Sequence, residues 1–471
     1  MSVQTTPGYN LQPSAEKSAL ASNYITDFNF LNQYLPDTYE KEFERYGNRT
    51  VASFLRMVGA EMPSNSDLIK WAEQGRLHTK YVDVTTTDTN GTPNPTFTVN
   101  DAGVTNIAIR VGQTVMLSNG ALSLKAIVIA TPTATTFQVG CYDIAGLVGN
   151  TTPPALPATY SVFVYGSEFR KGTNGMDGSL EAEDVFFENK PIILKDKYSI
   201  SGSDMAQIGW VEVTTENGAT GYLWYLKSEH ETRLRFDDYL ETSMIEAVPA
   251  DAGSGASAAL NPTSGAGSDG GSDGIFYVVN NRGNVWSGGN PTTLAEWDTI
   301  ISRLDKQGSI EENVVFLNRA FGFDIDDMLA SQNSYGAGGT SYGLFDNDKD
   351  MALNLGFTGF RRGYDFYKTD WKYLNDPTMR GGLTGTGAVN GLLVPAGSTS
   401  VYDQVLGKNA KRPFLHVRYR ASETEDRRYK TWITGSAGGA QNSDLDAMEV
   451  QFLSERAVCT LGANNFFIFK D

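Results

Sequence analysis

Hydrophobic residues recur along this chain with several different spacings, and each spacing predicts a different kind of element. Helix caps and an i, i+3, i+4, i+7 stripe predict three short helices near the start: Asp37 to Gly47, Thr50 to Val58 and Asp67 to Gln74. Ser66 is the predicted N-cap of the third helix, and Gly75 follows its C-terminus. Residues 1–36 are polar and aperiodic, which is typical of an extended arm or a frayed terminus.

Residues 81–165 are rich in Thr, Val, Ile, Gly and Pro and contain few helix-forming residues. Short apolar runs there are separated by turn signals and therefore predict strands: Ile107–Val111, Thr114–Leu117, Leu124–Ile129 and Thr136–Val139. Such a series of short strands is typical of a small β-barrel or sandwich, which we place at 86–160. A further strand, Ser161–Tyr165, is expected to follow this β-domain.

The longest helical pattern runs from Tyr222 to Val248. One broad apolar face is expected to pack on a sheet, and its members are Leu223, Leu226, His230, Leu234, Leu240 and Met244. Charged residues, Glu241 among them, are expected to cover the rest of the helix. Strands are expected before it at Ile192–Leu194 and Ile208–Val213.

Residues 250–274 are of low complexity in Gly, Ser, Ala and Asp, which is typical of a flexible hinge. The next section alternates predicted strands and helices: strands at Ile275–Val279 and Val314–Leu317, and helices at Thr293–Leu304 and Ile325–Ala330. Four closing strands follow: Leu415–Arg420, Tyr429–Ile433, Glu449–Leu453 and Phe466–Phe469. The whole pattern predicts the α+β class.

The charge balance and the cysteine count narrow the classes of function. The 471 residues include 55 acidic and 38 basic ones, and the net charge of −17 argues against a broad phosphate-binding surface. Two cysteines, Cys141 and Cys459, do not make a disulfide framework and favour a reducing compartment. The first residues do not resemble a signal peptide, and no apolar run approaches ~20 residues, so we expect a soluble chain made in a cytoplasm.

Two glycine motifs in the hinge match ligand-binding or catalytic patterns only in part. Gly265–Gly270 fits GxGxxG and Gly270–Gly274 fits GxSxG, but a strand, not a helix, is predicted to follow them. The chain has three histidines, which are His78, His230 and His416. We expect core or surface roles for them, and not catalysis. We therefore expect no catalytic residue, no cofactor-binding residue and no metal ligand, and the chain is a poor enzyme candidate.

Clusters of charge have structural explanations beside functional ones. The alternating aspartates of 346–350 open like a calcium-binding loop, but its Gly and its bidentate Glu are missing. Asp324, Asp326 and Asp327 lie near a predicted helix start, where carboxylates interact favourably with the helix dipole. Arg361–Arg362 and Arg427–Lys430 are basic clusters that suit either nucleic acid or an acidic neighbouring subunit.

The order of these pieces resembles the major capsid proteins of tailed bacteriophages, which have the Hong Kong 97-type fold. The resemblance divides the chain as follows: an N-terminal arm at 1–36, short helices at 37–80, an extended loop at 81–185 with the β-domain 86–160 inserted in it, a peripheral domain at 186–249 with the long helix as its spine, an axial domain at 250–410, and a return to the peripheral domain at 411–471.

Shorter stretches extend the resemblance. Arg76–Tyr81 resembles the outgoing strand of the extended loop, and Gly166–Val185 resembles its returning side. Glu73–His78 and Ala457–Phe466 are similar to stretches in the capsid proteins of crAss-like gut phages.

The resemblance implies a structural protein, not an enzyme. It implies a major capsid subunit that self-assembles into hexamers and pentamers of an icosahedral shell, enclosing DNA without sequence-specific binding. Portal and other head proteins are the implied partners, without membrane or cofactor, and the virion is the implied location after synthesis in the host cytoplasm. Two alternatives stay open: another virion component, such as a tail or decoration protein, and a carboxylate-dependent hydrolase.

Overall fold

The computed structural model describes residues 60–120, 123–148, 159–178, 180, 184–205, 213–214, 220–221, 224–260, 270–308, 310–333, 358–403, 408–439 and 441–471. Some predicted features lie outside these ranges: the arm, the first two short helices, most of the GxGxxG stretch and the aspartates of 346–350.

Strands make up much of the described chain. Those before the long helix are Ala60–Ser64 (β1), Ile69–Gln74 (β2), Lys80–Thr85 (β3), Thr96–Val99 (β4), Gln113–Ser118 (β5), Ser123–Thr133 (β6), Thr136–Cys141 (β7), Thr159–Ser167 (β8), Asp184–Asn189 (β9), Ile192–Ser201 (β10), Val213–Thr214 (β11) and Thr220–Gly221 (β12). Those after it are Asn284–Trp286 (β13), Glu312–Leu317 (β14), Gly359–Arg362 (β15), Tyr364–Asp370 (β16), Val389–Pro395 (β17), Ser398–Asp403 (β18), Lys408–Pro413 (β19), Leu415–Arg420 (β20), Lys430–Gly435 (β21), Ala447–Thr460 (β22) and Phe467–Lys470 (β23).

The helices alternate with strands mainly in the second half of the chain. They are Gly202–Met205 (α1), Trp224–Glu246 (α2), Gly255–Leu260 (α3), Ile275–Arg282 (α4), Leu294–Gln307 (α5), Arg319–Asn333 (α6) and Lys372–Asn375 (α7). α5 begins with a capping box, in which Thr293 and Glu296 each accept a hydrogen bond from the other's backbone N–H. Helices and mixed sheets together agree with the predicted α+β class.

A first sheet, sheet A, contains β1, β20, β22 and β10 side by side, with β21 also paired to β22. β22 is the central strand: β10 pairs along one of its edges, while β20 and β21 follow one another along the other. Most of its residues are buried, as expected for a strand with neighbours on both sides and a helix on one face.

A second sheet, sheet B, has the order β13–β23–β17–β14–β16–β15. The pairs β13–β23 and β14–β16 are parallel, and the other pairs are antiparallel. Trp297 of α5 is fully buried against one face of this sheet, where its ring contacts Phe366 and Phe469. The other face of sheet B shares a core with sheet A and with the end of α2.

A closed barrel is the third sheet unit, with the order β3–β4–β7–β6–β5–β8. Its interior is filled by its own apolar residues, including Phe97, Phe137 and Tyr160, which contact one another as rings. β3 pairs with β8 to close the barrel, so the strand predicted at Ser161–Tyr165 belongs to the barrel and does not merely follow it. The barrel strands run from Lys80 to Ser167, beyond both ends of the 86–160 segment.

Three predicted elements are wrong. Asp67–Gln74 is not a helix, because Ile69–Gln74 is β2 and pairs with β9, more than a hundred residues later. Ile275–Val279 is not a strand: it starts α4, which is buried between sheets A and B. Ile107–Val111 is irregular, because the Arg110 side chain donates to the carbonyls of Ile107 and Ile109 that a strand partner would use.

Candidate assembly surfaces

The β2/β9 ribbon connects the barrel to the two sheets. It is two-stranded and antiparallel, with Trp71 opposite Phe187 and Ala72 opposite Phe186. Side chains alternate along it, so Ile69, Trp71 and Phe187 face the body of the protein while Phe186 faces away. Of its two strands, β2 lies before Arg76–Tyr81, and β9 shares only its first two residues with Gly166–Val185.

The inner face of the ribbon is fixed to the body by contacts of several kinds. The Arg282 guanidinium lies 4.0 Å from the centre of the Phe187 ring and 5.8 Å from that of Trp71. The Glu73 carboxylate accepts a hydrogen bond from the Gly462 N–H. Asn189, buried at the base of β9, donates to the Val458 carbonyl at 2.7 Å. These contacts set the direction in which the ribbon leaves the body.

The outer face of the ribbon is open in the part of the chain that the structure describes. Phe186 is 70% exposed, and its neighbours on that face include the Lys70–Glu188 ion pair, whose side chains are also exposed. Leu77, just beyond β2, is exposed as well. Single exposed apolar side chains are common on protein surfaces, but the fixed ribbon holds Phe186 in solvent, with the exposed Leu77 just beyond its end, and makes this face a candidate contact surface. Sequence analysis missed Phe186, because the apolar run Val185–Phe187 predicts a strand but does not show which of its faces is exposed.

The long helix α2 packs on sheet A, but not through all the residues predicted for its apolar face. Leu240 and Met244 are buried as expected, whereas Leu234 is half-buried and His230 is exposed. Phe236, which was not assigned to that face, is fully buried and contacts the rings of Tyr429 and Phe452. Leu223 and the side chain of Leu226 lie outside the described residues.

One charged residue of α2 also departs from expectation. Glu241 was expected in solvent, but it is buried. It follows Leu240 on the side of the helix that faces the protein, so the buried face is wider than the leucine pattern indicated.

The GxSxG stretch has a structural role. The helix α4 follows this stretch, where a strand was predicted. The Ser272 hydroxyl does not act as a free nucleophile, because it is buried and donates to Asn189 Oδ1 at 2.9 Å. Gly271 has a φ of 80°, and a Cβ there would lie 2.2 Å from the Val248 carbonyl oxygen. The glycine is therefore needed for the close approach of two backbone segments, and the serine joins the hinge to the base of the ribbon.

The histidine and cysteine in the centre of sheet A are both deeply buried. His416 on β20 lies opposite Cys459 on β22. Burial lowers the pKa of His416 to about 4 and raises the pKa of the Cys459 thiol to about 12. Both side chains are therefore neutral near pH 7, and a neutral buried thiol is a poor nucleophile.

Two of the three aspartates predicted near a helix start, Asp324 and Asp326 of α6, are explained by an ion pair and a hydrogen bond and not by the helix dipole, whereas Asp327 is exposed. The helix begins at Arg319, so Asp324 and Asp326 lie beyond its first turn. Lys368 pairs with Asp326, and Asn290 donates to Asp324.

The basic clusters pair with carboxylates of the same chain. Arg427 pairs with Glu455 at 2.7 Å, and Arg428 pairs with Glu61. In the other cluster, Arg362 pairs with Asp298 and Arg361 with Asp365.

In the described ranges, no three His, Cys, Asp or Glu side chains come together as a metal site. No helix in this part of the chain has the length and apolar character that crossing a bilayer requires.

Comparisons with known proteins gave matches among solved structures. No protein-family model matches the chain, and no curated protein matches it. A structure from Microbacterium phage Oxtober96 aligns over 94% of this chain and 98% of its own, with 8% identity and a TM-score of 0.39. The capsid of a native GTA particle aligns over 94% and 99%, with 8% identity and a TM-score of 0.38.

A third solved structure aligns over a smaller part of the chain. The mature capsid of bacteriophage PhiM1 covers 64% of this chain and 78% of its own, with 10% identity and a TM-score of 0.32.

Proposed function

We propose that this chain is a shell-forming structural protein, the major capsid subunit of a tailed phage with the Hong Kong 97-type fold. The observation that carries the proposal is the β2/β9 ribbon, which is fixed to the body on one face and presents Phe186 to solvent on the other. Holding a large aromatic ring in water is unfavourable for an isolated subunit, whereas a neighbouring copy that covers it gains buried apolar area.

The combination of elements favours a major capsid subunit over the other virion components. A tail or decoration protein built mainly on the barrel does not need α2 packed on sheet A followed by a second, mixed sheet with its own helices. Here the two sheets share one apolar core, in which Ile245 of α2, Phe316 of sheet B and Val458 of sheet A are all buried. That core joins the proposed peripheral domain, 186–249 and 411–471, to the proposed axial domain, 250–410.

The hydrolase alternative has less support. Asp273, half-buried beside the ribbon, has a pKa raised by burial, but its neighbour Arg282 opposes that shift. Its N–H donates to Asn189 Oδ1, so the residue is part of the ribbon's attachment. We therefore propose a structural protein without catalytic residues or cofactor.

The finer assignments follow from this proposal. Copies form hexamers and pentamers of an icosahedral shell in the virion, and residues 1–36 serve as an arm on neighbouring subunits. Portal and other head proteins are partners. The net charge of −17 suits an inner shell surface that does not bind the packaged DNA tightly. A crAss-like phage is proposed on the stretches Glu73–His78 and Ala457–Phe466.

Electron microscopy of the purified full chain tests the proposal. Shells, tubes or hexameric rings are expected in negative stain, and a monodisperse monomer under all assembly conditions would contradict it. Phe186→Ser should reduce the assembled fraction while leaving the circular dichroism spectrum unchanged. The matched control is Phe323→Ser on α6, where the Phe is 58% exposed but lies off the ribbon.

A further inference from the structure

One outer face of the barrel is apolar and aromatic. It contains Phe163 and Tyr165 of β8, Ile129 of β6, and Tyr142 just after β7, each between 40% and 51% exposed; we call these four residues the aromatic face. Outward positions elsewhere on the barrel carry small polar residues, such as Thr96 and Thr98 on β4 and Thr136 on β7. Val82 on β3 and Ile144 after β7 are also exposed apolar residues of the barrel, so its exposed apolar surface extends beyond these four, which hold its cluster of aromatic rings.

The side chains of the aromatic face are held in place by their neighbours. Phe163 lies opposite Met116, which lies opposite Lys125, so the three form one row across β8, β5 and β6. The rings of Phe163 and Tyr165 are 6.4 Å apart, and Lys125 Nζ is 5.8 Å from the centre of the Tyr165 ring. A surface that is already ordered loses little conformational entropy when it binds a partner.

Hydrogen bonds position the remaining aromatic ring of this face. The Tyr142 hydroxyl donates to the Glu168 carboxylate, and the Tyr142 N–H donates to the Lys125 carbonyl. The hydrogen bond to Glu168 is the main reason that the pKa of Tyr142 is raised to about 12, so the hydroxyl keeps its proton and its donor role near neutral pH.

The area of the aromatic face indicates how strong its contacts can be. A Phe or Tyr has about 150–250 Å² to bury, so four side chains with half of it exposed offer roughly 350 Å². A standard interface buries about 800 Å² on each partner. The face can thus form the apolar core of a contact but not a stable dimer by itself, which suits a contact repeated many times in an assembly.

Charges at this face are suited to a second copy of the same chain. Lys125 lies on one side of Tyr165, and Glu168 is anchored through Tyr142 close by. In a two-fold contact between two such faces, the Lys125 of one copy would meet the Glu168 of the other, and the apolar side chains would lie between them. The same patch then serves on both partners, as a two-fold contact requires.

We propose that the aromatic face docks on the aromatic face of a second copy, so that barrels of neighbouring subunits pair about a local two-fold axis. This proposal rests on the shell-forming function. It assigns the inserted barrel a role as a second intersubunit contact, separate from the ribbon.

Cysteine crosslinking of the full chain tests the pairing. Ser161 lies two residues before Phe163 on β8 and faces the same way, so Ser161→Cys reports on the contact without removing an apolar side chain. The background is Cys141→Ser, and Cys459 is buried and stays out of reach of the reagent. The control is Ala134→Cys, an exposed site at the turn between β6 and β7, away from the aromatic face.

A bismaleimide should give roughly tenfold more dimer from Ser161→Cys than from Ala134→Cys, because docking raises the local concentration of the paired thiols. Adding Tyr165→Ser should remove that excess, whereas adding Tyr367→Ser, an exposed Tyr on β16, should not. If shells form but Ser161→Cys gives no more crosslinked dimer than Ala134→Cys, barrel pairing is wrong and the shell-forming function still stands. Equal crosslinking at both sites overturns the pairing as well. If neither shells nor crosslinked dimers form, both proposals are wrong. If specific dimers form without shells, only the barrel pairing is supported.

Discussion

The Glu73 carboxylate accepts a hydrogen bond from the Gly462 backbone N–H at 3.0 Å, across 389 residues of chain. Gly462 has φ 61° and ψ 53°, the left-handed conformation that glycine adopts most readily, in the turn after β22. The indole N–H of Trp71 donates to the same carboxylate oxygen at 3.0 Å. One side chain thus joins the ribbon to the end of the central strand of sheet A.

Glu73→Ala should loosen the ribbon, because the Gly462 N–H and the Trp71 indole lose their acceptor. The cost should be about 1–2 kcal/mol, since the site is only half-buried and water can replace part of the bond. Glu73→Gln keeps an acceptor oxygen and should lose less. Urea unfolding measures the stability of each variant, and hydrogen exchange at Gly462 and in β9 should accelerate only for the alanine variant. Unchanged exchange in both variants would contradict this role.

Local signals in the sequence predicted elements well where their partners are also local. The helix predicted from Thr293 is α5, and the structure shows that a capping box between Thr293 and Glu296, only three residues apart, fixes its start. β5, β6 and β7 are neighbours in both sequence and sheet, and their strands were also correct in position. In these cases the residues that decide the structure lie within a few positions of one another.

Elements decided by distant partners could not be predicted in the same way. Cap signals at Ser66 and Gly75 favoured a helix for β2, but pairing with β9 and burial of Trp71 against Arg282 determine the strand. The five apolar residues that open α4 suit a buried strand or a buried helix equally by pattern. The fixed inner face of the ribbon, and hence the exposure of Phe186, depends on these same long-range contacts.

The packing of α2 on sheet A yields a second prediction. Phe236 is fully buried against Tyr429 and Phe452, so Phe236→Ala should cost about 3–5 kcal/mol, through lost burial and a cavity. Leu234→Ala should cost clearly less, because Leu234 is only half-buried. Urea unfolding of both variants gives the comparison. A larger loss from Leu234→Ala would mean that the helix packs through its leucine face after all.

His416 should make stability depend on pH. Its pKa in the folded chain is about 4, mainly because burial disfavours the charged ring, whereas an unfolded histidine titrates near 6.5. Because the folded pKa is the lower one, the unfolded state binds the proton first as pH falls. Stability is therefore complete above about pH 6.5 and decreases from there towards pH 4.

The size of this effect can be measured with a pair of variants. Between pH 7 and pH 5 the parent chain should lose about 2 kcal/mol more than His416→Gln, which has no ring to protonate. His230→Gln is the matched control, because His230 is exposed on α2, and its pH dependence should follow the parent's. Urea unfolding at the two pH values gives one difference in the free energy of unfolding for each of the three proteins. Parallel pH dependence in the parent and His416→Gln would show that His416 is protonated in both states or in neither.

The barrel should fold as a separate unit only if its closing strands are included. β3 and β8 pair with each other and flank β4 and β5, and they contribute Val84, Tyr160 and Val162 to the core. A fragment of residues 79–168 keeps this closure and should show one cooperative thermal transition by circular dichroism. A fragment of residues 86–160 lacks β3 and most of β8, which leaves β4 and β5 as open edges beside an incomplete core, and it should melt without a cooperative step. Equal transitions in the two fragments would mean that the four remaining strands form a stable core without barrel closure.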